Sequence, residues 1–382
     1  MKEDFLLNGK FFVHTITELS EFDKLKPDWD CLATKQGAYM PFLCFDWFKI
    51  WFDHFLKDRR LLILLLFNGS KLVTIAPFVI SEEKFKGINA RKIELAGNVY
   101  SPIRYFLLDK SEIAEQCISN ILKFFIKSYK EWDILDFYGI PEENFSFDVL
   151  MNQISETSLK NTEYFCFRNM YIDGIDYSGE EYLNRRPGNI SKNIPYRMRR
   201  LQRIGNLEFR LITNEENIDH YMDVYYELYA RSWQKREHVG PSFHRSLVKM
   251  AAMNAWLRLG FLYFNNVPIA CQFWISADHY AYILKLFYDE YYQQYAPGKI
   301  LTAQIARHVI DVDKVQTIDY IHGDEPYKKD WTPKRRERRG ITVYNNNSKG
   351  QYFALLSNRI LPVLNKYTFL RKAKEVVARQ IR

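Results

Sequence analysis

No apolar run in this chain is longer than Leu61 to Phe67, far short of the roughly 20 residues that span a bilayer. The start, MKEDFLLNGKFF, carries acids and breaks before any signal-peptide stretch forms. Membrane spanning and secretion are therefore not expected, and the chain reads as cytoplasmic. Its five cysteines (Cys31, Cys44, Cys117, Cys166, Cys271) lack CxxC spacing and neighbouring histidines. That excludes the common zinc patterns, suits a reducing compartment and suggests buried thiols. The eight histidines form no HExxH, and GxSxG, Walker and clean GxGxxG motifs are all missing. A catalytic metal, a nucleophile elbow and a P-loop are not expected.

What is present is a well-furnished core. The chain has 382 residues, 47% hydrophobic and 16% aromatic, which argues against disorder and suggests two domains or one enlarged one. The net charge of +8 is localised. Residues 331–382 hold thirteen Lys/Arg against Glu337 and Glu375, and Arg185 to Arg203 holds seven basic residues and no acid. Two basic patches on an acidic body point to local anion binding more than to a general nucleic-acid surface.

The pattern predicts a mixed α/β (α+β) order. In the first part come strand Phe11–Ile16, helix Glu18–Ala33, an aromatic helix Phe45–Phe55, and strands Leu61–Phe67 and Lys71–Ile80 joined at Asn68-Gly69, a hairpin signal. Strands near 92–96 and 105–108, helix 111–129, strand 132–138, helix 145–158 and strand 164–172 follow. The second part reads as a basic helix from Pro195 to Ile204, strand Leu207–Ile212, helices 215–235 and 242–259, and strands 261–264 and 268–276. Strand Tyr280–Tyr288, helix Gly298–Asp311 and strands 317–321 and 342–345 complete it. LLLFNGSKLVTIAPF and FLYFNNVPIACQF echo one another within a matching order of elements, which reads as an internal structural duplication. The expected domains are 1–175, 176–350 and a basic amphipathic helix over 351–382, which either caps the core or lies on an anionic membrane surface.

Two segments can carry chemistry. In YILKLFYDEYYQQYAPGKILTAQIARHVI a strand leads through a polar aromatic loop to Pro297-Gly298-Lys299 at a helix start. Unpaired N–H groups there, with Gly298 allowing close approach and Lys299 alongside, make either a pyrophosphate site or an ordinary strand-to-helix loop. DYIHGDEPYKKDW gathers His322, Asp324, Glu325, Tyr327 and Lys328 at a strand end. It is either a set of ligand-binding groups or a solvated turn. The residues Phe48, Trp51, Phe52 and Phe55 share one helix face and read as core. Trp233 precedes a loop with Lys235, Arg236 and His238 and borders a cleft or simply the surface. The basic helix is either solvated or in contact with an anion.

These residues resemble the GNAT-superfamily acyltransferases related to the cellulose-biosynthesis protein CelD, a group itself related to the Fem-type aminoacyltransferases. The resemblance rests on YDEYY..YAPGKIL, GDEPYKKDW, the hairpin with Val267-Pro268-Ile269-Ala270, and Trp233, across roughly residues 180–335. Looser agreement lies in PFLCFDWFKIWFDHF and TIAPF. It implies tandem GNAT-like domains, each a mixed, mostly antiparallel sheet flanked by helices. The implied donor is an acyl thioester, acyl-CoA first, with acyl carrier protein or aminoacyl-tRNA as alternatives. The acceptor is an amine on a small molecule, saccharide or peptide of exopolysaccharide or envelope assembly. A non-catalytic binding protein is the competing class.

The resemblance also implies roles. The donor would lie on Tyr295, Pro297, Gly298, Lys299, Ile300 and Leu301. The usual Arg/Gln-x-x-Gly-x-Gly/Ala loop is here reduced to Gln294-Tyr295-Ala296-Pro297-Gly298-Lys299. Asp324, with Asp289 second, would orient or deprotonate the amine, and Tyr327 or Tyr291 would supply a proton to the leaving thiolate. Backbone N–H groups of Tyr280–Tyr288 would hold the oxyanion. Trp233, Gln272, Glu325 and Lys328 would contact substrate, with Lys328 holding an anionic acceptor or neutralising Asp324.

Overall fold

Fourteen strands form in a computed structural model, which describes residues 4–8, 10–101, 103–110, 113–141, 146–234 and 239–363. They are β1 (Asp4–Asn8), β2 (Phe11–Ile16), β3 (Arg60–Asn68), β4 (Lys71–Phe85), β5 (Ile88–Leu95), β6 (Leu107–Leu108), β7 (Ile134–Ile140) and β8 (Lys160–Ile172), then β9 (Leu207–Ile212), β10 (Leu257–Phe264), β11 (Val267–Ala277), β12 (Tyr280–Tyr288), β13 (Thr317–Asp319) and β14 (Lys334–Tyr344). The chain divides into two compact units. The first comprises residues 1–36, 55–166 and 338–382, and the second residues 37–54 and 167–337. Both are discontinuous in sequence, unlike the contiguous domains expected. β14 follows β13 in the chain yet gives most of its length to the first unit, while β8 gives its last residues to the second.

In the first unit the strand order is β1-β2-β3-β4-β5-β7-β14, antiparallel except for the β5–β7 pair. The β3–β4 hairpin turns through Gly69 at φ +60°, a conformation that glycine adopts without strain. Leu61 to Leu66 are all buried, as a strand covered on both faces requires. Helices Ala114–Lys127 and Ser146–Ser155 pack Ile118, Ile121, Phe125 and Leu150 against Leu64, Phe78 and Phe137.

The second unit has the order β8-β13-β12-β11-β10-β9, antiparallel except for β12–β13. Helix Pro297–Asp311 lays Ile300, Leu301, Ile305 and Val309 into a core with Leu262, Trp274 and Ile283. Gly260 lies beneath it, where a Cβ would lie 2.6 Å from Ile305 Cδ1 and push that side chain aside. Helices Ile218–Ala230 and Pro241–Met253 belong to the same unit. So does most of the aromatic helix Phe45–Phe55, whose Trp47, Phe48, Trp51 and Phe52 are buried. Each unit thus repeats hairpin, strand, helix and parallel strand in a mixed, mostly antiparallel sheet flanked by helices.

Several expectations are corrected. Helix 18–33 is three pieces, Leu19–Phe22, a 3-10 turn Asp23–Leu25 and Lys26–Ala33, because Pro27 fits only a first helical turn. The helix expected over 242–259 stops at Met253, where Ala255 takes φ +59° and the Trp256 N–H bonds Ala251 O. The next residues pair as β10, with Leu259 opposite Ile212 and Phe273. The expected strand 342–345 begins at Lys334, its KRRERR run reading as loop until pairing is seen. Cys31 is exposed and Cys166 half-buried, so not all thiols are inside. Residues 364–382 lie outside the described residues, and with them most of the expected C-terminal helix.

The β12–β13 pair is pinned at its end by Asp319, which is 3% exposed. Its carboxylate accepts from Asn169 Nδ2 at 2.6 Å and from the Ile321 N–H at 2.5 Å, and pairs with Arg336. Arg336 also donates to Asn169 Oδ1. Arg336→Met should cost about 3–5 kcal/mol, the range for stripping a buried carboxylate of its partner. Urea unfolding of the two proteins measures it.

Candidate active site

The pairing of β12 with β13 covers only Tyr280 to Tyr282. Beyond that point β12 continues to Tyr288 with β11, and β13 has ended, so one edge of β12 is without its strand neighbour. Phe273 faces Lys285 while Trp274 faces Ile283, so Leu284 is an extra residue, a bulge. The Asp289 N–H bonds Ile269 O. By alternation, the backbones of Phe287 and Lys285 point to β11 and those of Leu286 and Tyr288 to the open edge. Gln234 Nε2 reaches Leu286 O there at 2.6 Å. An acyl carbonyl seated along this edge would meet backbone N–H groups, as the developing oxyanion requires.

From Tyr288 the chain enters a 3-10 turn, Glu290–Tyr295, then takes φ +51° at Ala296 before Pro297 opens the helix. Asp289 caps the turn, accepting from the Tyr291 N–H at 3.0 Å, and its other oxygen lies 3.3 Å from Arg231 Nε. It serves this loop structurally. Pro297, Gly298, Ile300 and Leu301 are buried. Lys299 and Ile300 both direct their N–H groups to Ala296 O. A Cβ on Gly298 would meet the Tyr288 ring at 3.1 Å, so glycine lets the helix start settle against that ring. Lys299 Nζ lies 3.2 Å from Asp330 Oδ2, an oxygen that also accepts from Asn189.

Gln272, expected to touch substrate, is wholly buried. Its amide donates to Gly298 O at 2.9 Å and Thr302 Oγ1 at 2.8 Å and accepts from Trp274 Nε1 at 2.8 Å. With its amide so engaged, it acts by holding the helix start to the sheet. Sequence reading also left the basic helix unassigned. It spans Asn193–Ile204, with Pro195 third and not first. Arg197 donates to Gln294 O, and the Arg200 guanidinium lies 5.5 Å from the Tyr295 ring. The spacing of three between them, which puts both on one helix face, was the available signal.

The second segment is arranged around the short helix Pro326–Lys329. Asp324 lies 3.4 Å from Arg168 Nη1, so Arg168 and not Lys328 is its cation. Lys328 is buried, paired with Glu325 at 2.7 Å, and donates to His322 O. Burial pushes the Tyr327 hydroxyl up from its ordinary value. Gly323 sits at φ +85° in a bridge with Asn169. Tyr291 is 82% exposed and Trp233 51% exposed, while Lys235, Arg236 and His238 lie outside the described residues. Tyr295 to Lys299, Tyr288 and Gln272 are thus gathered at one helix start, and Asp330 links it through Lys299 to the turn bearing Asp324 to Lys328.

A cavity of about 370 Å³ lies in the same unit, lined by Tyr225, Tyr226, Tyr229, Gln234, Pro241 and His244. Gln234 connects it to the open edge of β12, and Phe287 packs edge-on to Tyr225 and Tyr229 at 4.7 and 5.2 Å. The aromatic spacing of YYELY was its only trace in sequence. Lys285 shares the sheet face of Phe287, and burial lowers its ammonium to about 8. Among the described residues, no group of three or more His, Cys, Asp or Glu is placed to hold a metal, and no helix is long and apolar enough to cross a membrane.

The chain is similar to known proteins in a domain model and in fold. Residues 188–329 match the acetyltransferase (GNAT) domain model. Over 87% of this chain and 98% of the other, the fold is similar to that of FemX, with a TM-score of 0.59 and 10% identity. It is also similar to the C-terminal domain of a protein described as a lysylphosphatidylglycerol synthetase from Agrobacterium fabrum, at TM-score 0.53, 12% identity and coverages of 90% and 97%. L-PGS from Bacillus licheniformis gives TM-score 0.52, 10% identity and the same coverages. Identity this low speaks to shared fold. No curated protein matches the sequence.

Two outcomes follow from the buried polar groups. Gln272→Leu strands the Trp274 N–H and should cost about 1–3 kcal/mol by denaturant unfolding. Burial lowers the His244 imidazole from 6.5 to about 4. Above pH 6.5 it is neutral folded and unfolded. Between 6.5 and 4 only the unfolded chain takes up the proton, so stability falls, by about 3 kcal/mol in all. His244→Leu should flatten that part of the stability–pH curve.

Proposed function

We propose that this protein is an N-acyltransferase that moves an acyl group from an acyl thioester, acyl-CoA first, to an amine. The observation carrying this reading is the open, bulged edge of β12, which leads through the Glu290–Tyr295 turn to the Gly298 helix start beside Arg197 and Arg200. In this scheme the thioester carbonyl lies on the β12 edge, and the donor's diphosphate lies against residues 295–299 with the two arginines as counter-charges. The neutral amine attacks the carbonyl carbon, the C–S bond breaks, and the thiolate takes up a proton. Asp324, oriented by Arg168, receives the amine's proton, and Tyr327 supplies the thiolate's. Asp289 caps the loop and Gln272 anchors the helix, so both act on positioning. The aromatic cavity is the acceptor's side of the reaction.

A CelD-like role in exopolysaccharide or envelope assembly belongs to this proposal, as does a cytoplasmic site of action with the second unit carrying the donor. The basic helix supports a second reading, an aminoacyl-tRNA donor as in Fem-type transferases, with Lys192 to Arg203 on the tRNA backbone. The two readings separate on binding. Acetyl-CoA, longer acyl-CoAs or CoA should raise the unfolding temperature of the wild type, and an Arg197→Glu, Arg200→Glu double variant should lose most of that rise. Silence toward every CoA species together with tRNA binding that collapses between about 50 and 200 mM salt would favour the tRNA donor. Silence toward both would leave a protein that binds and does not transfer.

A further inference from the structure

We propose that the first unit carries a binding site for a small carboxylate, anchored by the guanidinium of Arg104. Arg104 is 8% exposed. Among the described residues no carboxylate lies within ion-pair distance of it, and its Nε is buried without a hydrogen-bond partner. The Tyr138 ring lies 4.5 Å from its guanidinium carbon. A buried charge left in this state is costly, and native chains normally give it a partner.

The surrounding charges do not supply that partner. Glu94 and Asp136 are the nearby carboxylates, and both are occupied. Lys92 Nζ lies 2.9 Å from Glu94 and 3.4 Å from Asp136, and Arg59 lies 3.3 Å from Glu94. Asp136 further accepts from Tyr164 at 2.8 Å and Thr342 at 3.1 Å. Lys92 Nζ also lies 3.5 Å from Glu83, so the carboxylates here are taken up by Lys92 and Arg59, and Arg104 stays outside these pairs. A ligand carboxylate would give Arg104 the partner it lacks, and the guanidinium fork matches that group in a bidentate pair.

Position supports the same reading. β5 and β7 are parallel only from Lys92–Ile134 to Glu94–Asp136, the counterpart of the short parallel pair that opens β12 in the second unit. Arg104 lies over Tyr138, two residues past the end of that pairing. Gly97 leaves the path for its side chain, since a Cβ there would lie 2.8 Å from Arg104 Cδ. Burial holds the nearby Cys166 thiol up at about 11, which leaves it unreactive beside such a ligand.

The test is titration calorimetry and thermal unfolding of the full chain with acetate, free amino acids, and a dipeptide paired with its C-terminal amide. Inorganic phosphate serves as the competing anion. The expected result is saturable binding of carboxylates, a rise of about 3–5 °C near a hundredfold excess over the dissociation constant, and loss of both in Arg104→Met. Preference for dipeptide over free amino acid would make the ligand a chain terminus, and the reverse a small metabolite. Binding of the amide as well as the acid, binding of phosphate alone, or no binding by the wild type would each overturn the proposal. The calorimetric acid–amide comparison needs no variant, so it stands even where Arg104→Met does not fold.

Discussion

Asp319 decides where the second unit opens. A parallel pair of strands that ran its full length would pair the backbone of β12 on both edges and leave no donor for a ligand. Asp319 ends β13 after three residues by drawing the Ile321 N–H, Asn169 and Arg336 onto one carboxylate. Three segments distant in sequence thus converge on a single buried charge, and β12 continues past it with one edge exposed.

The rest of the site is built outward from that edge. The bulge at Leu284 re-aims the backbone, and the capped turn at Asp289 delivers the chain to the helix start. Gln272 then fixes that start from beneath by holding Gly298 O and Thr302. In the proposed transfer none of these groups needs to touch a substrate, because an acyl thioester is handled by placement of N–H groups more than by any strong acid or base. The few charged groups within reach are themselves held by partners, Asp324 by Arg168 and Lys299 by Asp330.

The two units solve the same packing problem with different interiors. Around the parallel pair of the second unit the edge is open and largely aromatic. Around that of the first, charged side chains from β5 and β7 and the Arg104 loop fill the equivalent place. A duplicated framework has kept its hairpin and helix while the contents of the gap diverged, as expected when fold and site are under separate constraints.

Sequence alone determined the strands and helices whose signals are local. Phe11–Ile16, Phe45–Phe55, Leu207–Ile212 and Tyr280–Tyr288 match their expected bounds, because an alternating or helical apolar period and a nearby turn residue suffice to define them. It also marked Pro297-Gly298 as a helix start. It misread Leu257–Gly260 and Lys334–Arg339, whose strand character comes from neighbours far away in the chain. Only the tertiary structure assigned Arg168 to Asp324, committed Gln272 to the helix, brought Arg197 to the loop at Gln294 and left Arg104 buried beside Tyr138. Each of these depends on long-range side-chain geometry, and residue type and spacing carry no record of which partner a charge will meet once the chain has closed.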